Sequence, residues 1–264
     1  MVKIAIAGAA GRMGRQIAAL AIESEQYDIV AALEAPRHEA LGRDVGELAG
    51  VGPFGVKVSS DLGDQRPDVL IDFTSPQATL ANLDACRARR VGLVLGTTGL
   101  SESQLAAVAD AAREIPILQS ANMSVGINVL LKVVAQMAAT LGGEFDIEIA
   151  ETHHRFKKDA PSGTAIMLAK AICAATGKDY GETVTFGRGG QCPRTPGEIG
   201  MHALRLGDTV GEHTVYFASL GETIAVSHSA HTREMFARGA LRAAAWLAGR
   251  PSGLYSMFDV LGIA

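Results

Sequence analysis

Between Glu151 and Thr164 the chain reads Glu-Thr-His-His-Arg-Phe-Lys-Lys-Asp-Ala-Pro-Ser-Gly-Thr, which sets two adjacent imidazoles beside Arg155, Lys157 and Lys158 and ends in a Ser-Gly-Thr turn. The unperturbed pKa of imidazole lies near neutrality, and a lysine moves toward that range when it is desolvated or set beside a like charge. His153, His154 and Lys157 therefore offer proton-transfer groups. The cations point to an anionic substrate. Pro161-Ser162-Gly163-Thr164 precedes a helical pattern running to about Thr176, so Ser162 is placed to cap that helix and its first amides to receive an anion. On a helix His153 and Lys157 would share a face, but Asp159-Ala160-Pro161 favours an irregular loop, and spacing leaves their geometry open. A solvated basic loop with a plain serine cap is the competing reading.

A second set of residues lies near the amino terminus. Gly8-Ala9-Ala10-Gly11-Arg12-Met13-Gly14 follows the apolar run Val2 to Ala7 and precedes a helical pattern. Small residues let the backbone approach a pyrophosphate, and a helix amino end supplies free N–H donors and a favourable dipole. The first glycine sits one place early for G-x-G-x-x-G, so the loop alone is a weak sign. Glu34 strengthens it: at the end of the second apolar run, an acid accepts hydrogen bonds from ribose hydroxyls. Gly96-Thr97-Thr98-Gly99 and Ser120-Ala121-Asn122-Met123 also each follow a short apolar run, where a doubly wound sheet places its ligand contacts. Turns closed by their own Thr and Asn side chains are the alternative.

The elements that must hold these loops are legible as patterns. Val2 to Ala7, Ile29 to Glu34, Val69 to Phe73, Leu93 to Leu95 and Ile117 to Gln119 are candidate strands, separated by helical stretches, as in a parallel sheet covered by helices. Ser75 with Pro76, and Ser101 with Gln104, carry helix-start chemistry. After Asn122 the pattern changes. A helical stretch from about Gly126 to Thr140 leads to an alternating run at Phe145 to Ile149, and Met201 to Leu206, Val210 to Ser219 and Thr223 to Ala230 follow. Gly-Asp and Gly-Glu pairs separate these last runs, which favours an antiparallel or mixed sheet. The expected class is α/β: a Rossmann-like doubly wound parallel sheet over residues 1–124, to which a tail within 235–264 could return, and a second α+β domain with an antiparallel or mixed sheet over 125–234.

A length of 264 residues is ample for two modest domains, and 48% hydrophobic with 20% charged residues describes a globular rather than a disordered chain. With 24 basic against 28 acidic residues the net charge of −4 gives no global case for nucleic acid or an anionic membrane. Cys86, Cys173 and Cys192 are too few and scattered for a disulfide framework, which fits a reducing compartment. Met1-Val2-Lys3 runs straight into Ile4 to Ala7, leaving no room for a signal peptide, and no apolar run approaches bilayer-spanning length. The expectation is a cytoplasmic protein with no membrane or nucleic-acid partner.

Taken together, Gly8 to Gly14 with Glu34, Gly96 to Gly99, Ala121-Asn122-Met123-Ser124-Val125-Gly126 and above all His153-His154-Arg155-Phe156-Lys157 with Asp159 to Thr164 resemble the dihydrodipicolinate reductase family over essentially the whole chain. The resemblance implies reduction of a cyclic, unsaturated dicarboxylate to tetrahydrodipicolinate with loss of water, in lysine and diaminopimelate biosynthesis. It also implies an amino-terminal dinucleotide domain on which the final helix and tail, 235–264, pack back, a substrate domain built on an open mixed sheet, and a homotetramer assembled through that sheet. By it, His153 is the general acid/base and Lys157 the proton donor, while His154, Lys157, Ser162, Gly163 and Thr164 hold the substrate carboxylates. NADH or NADPH would lie against Gly8, Ala9, Ala10, Gly11, Arg12, Met13, Glu34, Gly96, Thr97, Thr98, Ser120, Ala121, Asn122 and Met123, and no metal is required.

Some family members follow the ribose acid directly with Arg; here Ala35-Pro36 intervenes before Arg37. Glu34 disfavours a 2′-phosphate while Arg12 or Arg37 could compensate, so NADH preference or dual use is expected. Four other readings stay open. A different two-domain reductase would need its own catalytic apparatus, and an acyl-enzyme dehydrogenase would need a nucleophilic Cys. A non-enzymatic dinucleotide sensor has no use for His153 and Lys157. A metal site from His153, His154, His228 and His231 is awkward because two of its members are adjacent.

Overall fold

The computed structural model describes residues 1–263. Along the chain run β1 (Val2–Ala7), α1 (Arg12–Ile22), β2 (Tyr27–Leu33), α2 (Val45–Ala49), β3 (Val58–Ser59), β4 (Val69–Asp72), α3 (Pro76–Arg89), β5 (Gly92–Leu95), α4 (Glu102–Ala111) and β6 (Pro116–Gln119). There follow α5 (Val125–Leu141), a 3-10 turn (Gly142–Glu144), β7 (Asp146–His153), α6 (Gly163–Thr176), α7 (Tyr180–Thr183), β8 (Val184–Phe186), β9 (Ile199–Arg205), β10 (Gly211–Ser219) and β11 (Glu222–Ala230). The chain ends with α8 (Glu234–Leu247), β12 (Gly253–Tyr255) and α9 (Met257–Leu261). Two compact units result: Met1–Val125 with Glu234–Gly262, and Gly126–Arg233.

In the first unit seven strands pair in the order β12-β6-β5-β4-β1-β2-β3, every pairing parallel. β4 and β5 are buried at every position, as a strand covered on both faces requires. Successive side chains serve opposite cores. Ile4, Ile6, Ile71, Val94 and Leu118 pack with Ile17, Leu241 and Leu247, whereas Ala5, Ala7, Leu70, Leu93 and Ile117 pack with Leu83, Cys86 and Val108. The helices start where their chemistry indicates: the Ser75 hydroxyl accepts from the Ala78 amide with Pro76 in the first turn, and Ser101 and Gln104 form a reciprocal capping box. Short α2 and β3 carry too few residues for a periodic signal, and β12 is hidden in the glycine-bounded tail.

The second unit holds a five-stranded sheet in the order β11-β10-β7-β9-β8. β7–β9 and β8–β9 are parallel, while β7–β10 and β10–β11 are antiparallel, so the sheet is mixed. β9 and β10, joined through Gly207-Asp208, do not form a hairpin; β7 lies between them. On β7 the buried side chains are Ile147, Ile149 and Glu151, an alternation that puts a carboxylate in a core register.

α5 corrects one expectation. Counted with the 3-10 turn it spans Val125 to Glu144, 20 residues, long and apolar enough to cross a bilayer by length and composition, where no apolar run of that length was expected. The α-helix itself ends at Leu141, where Gly142, at φ +63, turns the chain before the short 3-10 segment. Its buried residues, Ile127, Asn128, Leu130, Leu131, Val134 and Ala138, recur at helical spacing along one face, while Lys132 and Gln136 stand exposed. That pattern is a helix lying on a core.

Candidate active site

The first unit builds its site largely from main chain. The amides of Gly8 and Ala9 both donate to the Leu33 carbonyl, at 2.9 and 3.1 Å, folding the loop over the end of β2. Gly8 has φ +75, and a Cβ on Gly14 would stand 2.1 Å from the Gly8 oxygen, so loop and helix touch at a distance only glycine permits. α1 begins at Gly11 with no side-chain cap and no acid in its first turn, leaving its amino-terminal amides to an external anion. Arg12 is exposed beside it and Met13 half-buried. Glu34, just past β2, accepts from the Ala10 amide at 2.9 Å and from the Ala35 amide at 3.2 Å. The acid is thereby tied to the glycine loop. An uncapped helix end with a tethered carboxylate beside it suits the pyrophosphate and ribose of a dinucleotide.

Gly96, Thr97, Thr98 and Ser120 to Met123 follow β5 and β6 at their carboxyl ends. Asp72, fully buried at the end of β4, organises the first of these loops: its Oδ1 accepts from the Thr97 hydroxyl (3.0 Å), the Thr74 hydroxyl (2.6 Å) and the Thr74 amide (3.0 Å). Gly96 is packed so closely on Phe73 that a Cβ would lie 2.4 Å from its ring. In the other loop Ser120 donates to the Asn122 carbonyl at 2.8 Å, and Asn122 Oδ1 accepts from the Ser124 amide at 2.9 Å. Ala9 is completely buried and Met123 is 1% exposed, so at both positions only backbone is offered to a ligand.

The second unit concentrates side chains. His153 closes β7, and its Nδ1 meets Glu151 Oε2 at 2.5 Å. Arg205, paired with His153 in the β7–β9 register, grips the same carboxylate through both terminal nitrogens, at 2.9 and 3.0 Å, and Glu151 Oε1 also accepts from the Ser162 amide at 3.0 Å. His213, opposite Glu151 in the β7–β10 register, shares a 3.0 Å hydrogen bond with the Ser162 hydroxyl, which caps α6 by accepting from the Ala165 amide. The rings of His153 and His213 meet edge to face at 5.2 Å. Lys157, on the turn after β7, places Nζ 2.9 and 3.0 Å from the two oxygens of Asp159. The sequence-predicted His153, Lys157 and Ser162 are thus drawn into one connected cluster, Lys157 through Asp159, whose carbonyl accepts from Arg205. Gly163 and Thr164 form the first turn of α6. His154 takes no part in that network: its buried Nδ1 has no partner, and its ring lies near Phe156.

The electrostatics follow from burial and pairing. Burial opposes charge on Glu151, but Arg205 and His153 outweigh it and hold the carboxyl below its usual range. Burial pushes His153 below the ordinary histidine value against the upward pull of Glu151, and Lys157 and Arg205 act in the same sense as burial. His213 is pushed down to about 4 by burial, reinforced by His153. Lys157 holds Asp159 low. The residues that sequence reasoning gave no role, Glu151, Arg205, His213 and Asp72, are the ones that fix the others in place. Their one sequence signal is polarity at a buried alternation position, as in Ile147-x-Ile149-x-Glu151. His228 stands opposite His213 on β11, and among the described residues no group of three or more His, Cys, Asp or Glu side chains is arranged for a metal ion.

A doubly wound sheet with an open glycine loop in one unit, and an acid–imidazole–lysine cluster in the other, define a two-domain oxidoreductase of the pyridine-nucleotide class. The family follows from the sequence. The amino-terminal profile of dihydrodipicolinate reductase matches residues 2–123 and its carboxyl-terminal profile residues 126–261. The chain is 50% identical to the 4-hydroxy-tetrahydrodipicolinate reductases of Citrifermentans bemidjiense and Geobacter sulfurreducens, with 100% of each chain covered. A solved dipicolinate-bound dihydrodipicolinate reductase from Paenisporosarcina sp. TG-14 superposes with a TM-score of 0.78 at 23% identity, covering 98% of both chains. The chain belongs to the dihydrodipicolinate reductase family.

Proposed function

We propose that the protein reduces 4-hydroxy-tetrahydrodipicolinate to tetrahydrodipicolinate with NADH or NADPH; its relatives are named 4-hydroxy-tetrahydrodipicolinate reductases. One hydride and one proton enter the substrate and one water leaves. The nicotinamide supplies the hydride; position and protons come from the chain. The observation that carries the reading is the joining of His153, Lys157 and the Ser162 turn through a single buried carboxylate, Glu151, and its Arg205 partner.

In this reading residues 1–124 with 235–264 bind the dinucleotide, through the loop Gly8 to Met13, Glu34, Gly96 to Thr98 and Ser120 to Met123. Residues 125–234 bind substrate and self-associate. His154, Lys157, Ser162 and the amides of Gly163 and Thr164 hold the two carboxylates, so the ring is oriented before charge develops. Hydride addition to a conjugated imine leaves electron density that must be protonated, and Lys157 is the donor. Its ion pair with Asp159 holds Nζ in place until a substrate carboxylate competes for it. His153 serves as acid/base, and burial, by lowering its affinity for protons, favours the neutral ring that can accept one. Glu34 without an adjacent Arg favours NADH or dual use. A homotetramer is supported by the open edge strand β11 and the exposed Leu220 and Ile224 on and beside it, and a cytoplasmic site of action by the family's soluble biosynthetic role.

The test is nicotinamide oxidation with substrate generated in place from pyruvate and aspartate semialdehyde by the preceding synthase, run with each cofactor and without synthase. Synthase-dependent oxidation is expected. None with either cofactor, in folded protein that binds one, would remove the reductase reading.

A further inference from the structure

His153 is held by more than its own strand. Glu151 is 0% exposed and its carboxyl is ionised, so both oxygens can only accept. With Oε2 at 2.5 Å from His153 Nδ1, the proton on the neutral ring must sit on Nδ1, which leaves Nε2 as the nitrogen that gains and loses protons. The ring's other edge is fixed by shape: a Cβ on Gly211, at the start of β10, would come within 3.0 Å of Nε2. The same carboxylate binds the Ser162 amide at the start of α6 and both terminal nitrogens of Arg205, which itself reaches the Asp159 carbonyl at 2.6 Å.

We infer that Glu151 is the positioning residue of the site: it fixes the tautomer and aim of His153 and ties that ring to the anion-binding turn at Ser162. This rests on the reading of His153 as the acid/base. The groups facing His153 are Glu151 on its own strand, Arg205 on β9, His213 on β10 and Lys157 on the following turn, the last paired with Asp159. Only Glu151 brings negative charge directly onto the ring. Removing that charge moves the His153 titration to lower pH, because burial, Lys157 and Arg205 all continue to disfavour the imidazolium.

The experiment uses the full chain with labelled histidine and follows the imidazole nitrogens by NMR across pH, with the His153 signals assigned by His153→Gln. In the wild type the Nδ1–H tautomer is expected, titrating at Nε2; a predominant Nε2–H form overturns the inference without need of any variant. In Glu151→Gln the titration is expected to move to lower pH with mixed tautomers, and an unmoved titration and tautomer overturn it. Turnover is a separate readout. Glu151→Gln is expected to lower kcat by about 10–100-fold and shift the acidic limb of the pH profile downward, with cofactor affinity unchanged. Added to His153→Gln it should lower kcat no further, and a full additive loss in the double variant overturns the inference. Wild-type protein lacking synthase-dependent turnover would remove the reductase reading, while the ring spectra would still decide the role of Glu151.

Discussion

The glycine-loop edge and the charged cluster are both polar sites at strand ends, yet they are made of different material. At the first, Gly8, Ala9, Gly96 and Met123 present backbone, and close contacts such as the Gly14–Gly8 approach leave no room for added atoms. At the second, the register of β7, β9 and β10 delivers Glu151, His153, Arg205 and His213 as side chains to one point. The first should therefore be sensitive to atoms gained and tolerant of atoms lost, and the second the reverse.

The largest effect expected is at the second site. His153→Ala and Lys157→Ala should each lower kcat by about 10²–10⁴-fold, the range for a lost proton-transfer group, while a fluorescence titration finds cofactor affinity within about twofold of wild type. Wild-type turnover in both would break the contrast from one side. From the other side, Gly14→Ala forces a Cβ toward the Gly8 oxygen and should weaken cofactor binding on the order of 100-fold, whereas Thr98→Ala, which only deletes atoms at the same edge, should cost less than about 1 kcal/mol. Equal losses in the two variants would show that the edge depends on side chains after all.

A third test uses acid. The folded chain resists protonating His213, which is held to about 4, while the unfolded chain takes up a proton near the ordinary histidine value of 6.5. The unfolded state then binds more protons between these limits, so stability falls as pH drops through that window, by up to about 3 kcal/mol. Melting curves from pH 4 to 7 should show this slope in the wild type and a flatter one in His213→Gln. The smallest effect is expected for Ser162→Ala: loss of the α6 cap should cost about 1 kcal/mol of stability and raise KM for the substrate, leaving that for the cofactor unchanged.

Which parts of this were readable from sequence depends on how far apart the interacting residues lie. The strands of the first sheet announce themselves because each is a local apolar run, and the Ser75 and Ser101 caps because the partners are three residues away. The 151–164 stretch is conspicuous by composition. What stays hidden is set by strand pairing over long separations: Arg205 joins Glu151, and His213 joins Ser162, only because β7 lies between β9 and β10, an order that local turns at Gly207 did not reveal. α5 was legible as a helix and in its bounds, because apolar spacing marks its body and the glycine pair marks its end; only the 3-10 turn that prolongs it to Glu144 was not.

One further consequence lies in the path of the chain. The parallel sheet of the first unit receives its edge strand β12, and the helix α8 that buries Ala240, Ala244 and Leu247 in its core, only after all of the second unit has been written. During synthesis the second unit can finish folding while the first, begun earlier, still waits with one face of its sheet covered by α1 but not yet by α8. For this protein the order of birth and the order of completion are reversed, and a ribosome stalled late in the message would spoil the older half.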